Sequence, residues 1–108
     1  MSSILPRARR FDAPVYGTIF AARAAAVARL AVGHQLILVP DPAGVDHPSV
    51  WVHAPGGDVV GHFAPDINRW MVAEMLSGVR YSASVHTVAG TGTESWKKLV
   101  VSVQRLDA

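Results

Sequence analysis

The chain has no cysteine among its 108 residues, so disulfides and cysteine-ligated zinc are excluded. Charge is also scarce. Only 17% of residues are charged, and the net charge is +2 with five histidines counted as neutral. Half of the residues are apolar, which argues against disorder. No apolar run reaches the roughly 18 residues that a membrane helix needs. The alanine-rich stretch 21–32 is interrupted by Arg23 and Arg29. The opening MSSILPRARRFD has arginines, but no continuous apolar segment with a small-residue cleavage site follows them. A cytoplasmic protein is therefore expected.

Several catalytic patterns are missing too. The histidines stand at 34, 47, 53, 62 and 86, without His-x-x-x-His or Glu-x-x-His spacing. A zinc or di-iron site is therefore not expected. No glycine-rich phosphate loop with a following lysine is present. Asp46, His47 and Ser49 have the residue types of a triad, but they lie too close together in one loop for relay geometry to follow. The expectation is a non-enzyme with no cofactor.

What is present is the material of one small domain. Residues 1–12 lack a pattern and read as a flexible basic arm, and 13–108 read as the domain. Arg7, Arg9 and Arg10 sit in the arm, where they could touch phosphates or simply be solvated. Residues 14–20 (PVYGTIF) have strand composition, with Gly17 marking a bulge or a close backbone approach. Residues 21–32 predict a short helix, with Gly33 placed as a C-cap. Residues 34–40 predict a strand with apolar residues on both faces, hence burial on both sides or a tightly curled sheet.

Strands at 49–54 and 59–64 flank Pro55-Gly56-Gly57-Asp58, a strong hairpin signal. With Gly56-Gly57 as the turn, Trp51 falls opposite His62 and His53 opposite Val60. These four then share one face, and Val50, Val52, Ala54, Val59 and Phe63 form the core face. Residues 65–77 predict a helix that starts on Pro65, carries Asp66 near its N-terminus and ends before Gly78. Ile67, Trp70, Met71 and Met75 form its apolar stripe. Strands are expected at 79–88 and 96–105. The fold class is α+β, mainly β: a small curled antiparallel sheet, or OB-like barrel, of about six strands with one or two short helices.

Val15-Tyr16-Gly17, Gly33-His34-Gln35-Leu36-Ile37-Leu38, Asp41-Pro42 with Asp46, Ser49-Val50-Trp51-Val52, Gly56-Gly57 and Val60-Gly61-His62-Phe63 follow one another in the order seen in HIRAN domains. The chain resembles that family over residues 13–103. HIRAN domains are small β-rich modules attached to DNA-repair helicases and also found alone in bacteria. The resemblance implies an OB-like fold that captures a single-stranded 3′ end. By position it implies that Asp46 accepts a hydrogen bond from the terminal hydroxyl, that His62 holds a phosphate, and that Phe20, or Tyr16 as substitute, stacks on a base. The chain departs from the family pattern at the loop, which is one residue shorter. There Val45 precedes Asp46 where a stacking tyrosine is expected. The family's basic residue beside the first aromatic pair falls near Ile19.

The residues themselves leave alternatives open. Asp46 can instead cap its own loop. Trp51, sharing a face with His53 and His62, is a stacking platform or an ordinary half-buried strand residue. Phe20 stacks or joins the core. Arg80, Lys97 and Lys98 extend a phosphate track or line a solvated edge. Two functions follow. One is a non-catalytic binder of single-stranded DNA at a free 3′ end, in repair or fork processing. The other is a protein-interaction module, contacting a helicase, a nuclease or a second copy, that keeps the fold and has lost the end pocket.

Overall fold

In the last strand, Leu99, Val101 and Val103 point inward while Ser102 and Gln104 point out, the period-two alternation of a sheet with one wet face. The computed structural model describes residues 9–89 and 98–106. In order, the elements are β1 (Arg10–Pro14), α1 (Ala21–Ala28), β2 (Gln35–Pro40), β3 (Val50–His53), β4 (Val59–His62), α2 (Pro65–Leu76), β5 (Arg80–Val88) and β6 (Leu99–Leu106). The six strands form one antiparallel sheet in the order β1-β6-β5-β2-β3-β4. The curled, mainly β architecture expected from the sequence is the one observed.

The sheet curls until its two edges meet. Just past the end of β1, Tyr16 N–H donates to the His62 carbonyl at 2.8 Å and His62 N–H donates to the Tyr16 carbonyl at 3.0 Å. Glycine permits this closure. A Cβ on Gly61 would stand 2.3 Å from the Tyr16 carbonyl oxygen and 2.5 Å from Val15 Cγ1. Val15, Val50, Val52, Val60, Phe63, Met71, Leu99, Val101 and Val103 fill the interior. No helix among the described residues is long and apolar enough to cross a membrane.

Several local expectations are corrected. The first strand lies at Arg10–Pro14, paired with β6 from Gln104 to Val100, so Arg10, Phe11 and Asp12 belong to the sheet and not to an arm. The segment 15–20 leaves that strand to make the edge-closing bridge. α1 is shorter than expected and is capped at Arg29, whose N–H donates to the Ala26 carbonyl; Gly33, with φ of 92°, sits in a later turn. Of the two readings of β2 the curled sheet is the one observed, since Ile37 and Val39 are 49% and 40% exposed. In the hairpin, Trp51 does pair with His62, but a register shift sets His53 opposite Val59. The bulge turns Val60 into the core and Val59 outward, the reverse of an unbroken ladder.

α2 closes one side of the barrel against β2 and β3. Asn68 joins them: its Oδ1 accepts from Val50 N–H and its Nδ2 donates to the Phe63 carbonyl, each at 2.9 Å. Met71 and Val72 are buried beside it. Trp70 packs edge-on against Phe11 and Tyr81, with centroids 5.7 and 6.3 Å apart.

Candidate functional site

Because Trp51 faces His62 across the β3–β4 ladder, their rings meet on the outer side of the sheet, edge to face at 5.3 Å. Trp51 is fixed at its polar end. Its Nε1–H donates to Asp41 Oδ1 at 2.9 Å, while Asp41 Oδ2 accepts from Ser49 N–H at 2.9 Å. His62 Nδ1–H donates to the Phe63 carbonyl at 2.9 Å, which leaves Nε2 as the ring atom open to a ligand.

α1 packs beside β4 and brings a cation to this pair. Phe20 precedes the helix, and Arg23 lies three residues on, on the same face. The Arg23 guanidinium stands 4.8 Å from the Phe20 ring centre and 5.4 Å from that of Trp51, and its Nη1–H donates to the Gly17 carbonyl at 3.1 Å. Gly17 is tight against this cluster: its φ is +78°, and a Cβ there would meet Arg23 Nη1 at 2.8 Å and His62 Nε2 at 3.2 Å. Phe20 remains 60% exposed. The result is a ladder of Phe20, Arg23 and Trp51 with His62 at its side, made of groups that stack on bases and contact phosphates.

A cleft of about 490 Å³ adjoins the His62 side of the ladder. It is lined by the end of the 41–49 loop (His47, Pro48, Ser49), by His62 and Phe63, and by Pro65, Asn68 and Arg69 of α2. His47 holds a φ of +50°, a left-handed conformation uncommon outside glycine and a form of backbone strain that gathers at functional sites.

The structure brings Phe20, Trp51 and His62 together, with Tyr16 holding the His62 backbone. His53 shares their face, one register step away, with Nδ1 engaged by the Gly57 carbonyl at 3.0 Å. Asp46 is not brought into the cleft: its side chain is 97% exposed, and its Oδ1 lies 3.8 Å from His47 Nε2. Arg80 lies at the far end of β5, opposite Leu106. Lys98 lines a separate hollow between α1 and the β5–β6 ends. Lys97 falls outside the described residues.

Sequence reasoning missed Arg23, Asp41, Asn68 and Arg69. The Phe-x-x-Arg spacing at the start of an alanine-rich helix is a readable sign that Phe20 and Arg23 share a face. Asn68 stands at the i−3 position from Met71 and interrupts an otherwise apolar stripe, a sign of a buried polar contact. Among the described residues, no three His, Asp or Glu side chains gather as a metal site would need. No family model matches the chain, and no curated protein or solved structure matches it either.

Proposed function

We propose that this chain is a non-catalytic, cytoplasmic module that binds single-stranded DNA at a free 3′ end, in repair or replication-fork processing, as its resemblance to HIRAN domains implies. The observation that carries this reading is the convergence of the exposed Phe20 with the half-buried Arg23, Trp51 and His62 on one patch beside a cleft. A base stacks on the exposed face of Phe20, extending the ladder below it. Arg23 and His62 Nε2 then lie within reach of the adjoining phosphates, and the strand terminates in the cleft. Stacking accepts any base, so recognition is of an end and not of a sequence. Asp46 takes no part in this arrangement, because it stands in solvent outside the cleft lining.

One observation favours a second reading, a protein-interaction module. Ile37 and Val39 are exposed on the same outer face as Trp51, which pairs directly with Val39. An apolar face of this kind suits a helicase or nuclease partner, or a second copy of the chain. Salt separates the two. Fluorescence anisotropy of a labelled short single strand should show affinity falling as salt rises, through counterion release, and falling again in Phe20→Ala and Arg23→Ala. Absence of binding at low salt, together with self-association that holds or tightens at high salt, would reject the DNA reading in favour of the protein one.

A further inference from the structure

The cleft's hydrogen-bonding groups divide unevenly between donors and acceptors. The Phe63 carbonyl already accepts from two donors, His62 Nδ1 and Asn68 Nδ2, so both of its lone pairs are used. Asn68 Oδ1 accepts one bond, from Val50 N–H, and lies on a buried side chain. Asp41, whose carboxylate borders this loop, is taken by Trp51 Nε1 and Ser49 N–H. No carboxylate is among the lining residues; Asp46 and Asp66, their chain neighbours, are exposed and outside the lining. What stays available is mainly donor: the Arg69 guanidinium, which has no hydrogen-bond or ion-pair partner among the described residues, and the Ser49 hydroxyl. His62 Nε2 is a donor when the ring is protonated. The side-chain acceptors left are Ser49 Oγ, one lone pair of the buried Asn68 Oδ1 and the neutral imidazoles of His47 and His62, and none carries a charge.

Such a cleft offers little to a strand that ends in a hydroxyl, whose proton needs a strong acceptor. It offers a charge-assisted fork to a group with several acceptor oxygens and up to two negative charges. Resting on the single-strand reading above, we infer that the cleft receives a terminal phosphate monoester, so that the module reads a phosphorylated end and not a free hydroxyl. Arg69 makes the bidentate contact, Ser49 donates its hydroxyl, and His62 links the terminal phosphate to the next one along the strand. The aspartate that the family resemblance assigns to the hydroxyl, Asp46, has no role in this selection.

The test uses the full chain and one short oligothymidylate in three forms: 3′-hydroxyl, 3′-phosphate and 5′-phosphate, each labelled at the opposite end. Anisotropy is read at one fixed salt concentration. A phosphorylated end should bind about tenfold more tightly than the hydroxyl end, the scale of one charge-assisted contact. Arg69→Ala should reduce that preference to about twofold or less, and Asp46→Ala should leave the preference unchanged. Arg69 is exposed, so its variant should fold, and matching circular dichroism spectra would confirm that it does. Preference for the 5′-phosphate over the 3′-phosphate would support the inference and reverse the strand polarity. Equal binding of all three forms would overturn the inference and leave the single-strand reading standing. Hydroxyl preference abolished by Asp46→Ala would overturn it in favour of the reader implied by resemblance. No binding of any form would overturn both readings.

Discussion

Removing the Asn68 side chain should unfasten α2 from the hairpin at a cost that can be worked out from the structure. Asn68 is 5% exposed and makes two bonds: it accepts from Val50 N–H and donates to the Phe63 carbonyl. In Asn68→Ala the two partners fare differently. The Phe63 carbonyl keeps His62 Nδ1 and loses only a net contribution of about 1 kcal/mol. Val50 is buried, and its N–H is left without an acceptor, a penalty of about 1–3 kcal/mol. The total, about 3 kcal/mol, is a large part of the roughly 5–15 kcal/mol by which a domain is stable. Urea unfolding followed by tryptophan fluorescence would measure it, and the thermal midpoint should fall by about 10 °C or more. Asn68→Leu fills the space without offering an acceptor, so it should cost nearly as much. A loss under about 1 kcal/mol in both variants would refute the reasoning, because it would mean that the Val50 amide finds water or another acceptor.

Other outcomes follow from single contacts. Gly61→Ala places a methyl 2.3 Å from the Tyr16 carbonyl oxygen and should cost more than about 3 kcal/mol or prevent folding, whereas Gly56→Ala meets nothing within 4 Å and should stay within about 1 kcal/mol; thermal melts compare them. Asp41→Ala frees the Trp51 indole and the Ser49 amide together; it should lower stability by about 2 kcal/mol in urea and weaken single-strand binding in anisotropy. Arg23→Ala should reduce the slope of log affinity against log salt by about 0.7, the share of one phosphate contact on a single strand. An unchanged slope would mean that Arg23 only packs between Phe20 and Trp51.

The parts of the fold that depend on local chemistry were legible from residues alone. Gly56-Gly57 between two β-branched runs signalled the hairpin, but the turn spans Pro55-Gly56-Gly57, closed by Gly57 N–H on the Ala54 carbonyl, and Trp51 meets His62 because the bulge restores the register. Pro65 and Gly78 bounded α2 to within two residues. What was not legible depends on distant partners. Residues 14–20 have better strand composition than 10–14, yet β6 pairs with the latter, because Phe11 and Ala13 present the side chains that fit the barrel interior. The bulge that turns Val60 inward takes up the offset made by the three-residue turn, and nothing in Val59-Val60 announces it. Of the candidate site, the aromatic and histidine pair could be read in the sequence, because register brings them together. Its cation could not: the expected position near Ile19 lies outside the ladder, and Arg23 reaches it only because α1 packs beside β4.

The pair of amide bonds between Tyr16 and His62 has a consequence for how the patch fails. Phe20 and Arg23 are carried by the segment that follows the bridge, while Trp51 and His62 belong to the far edge of the sheet. Their proximity thus exists only while the seam is shut. Breaking the two Tyr16–His62 amide bonds would part the two halves of the ladder. Opening that seam is therefore also the event that disperses the candidate surface. Slow hydrogen exchange at the amides of residues 16 and 62 would serve as a direct gauge of how often that surface exists.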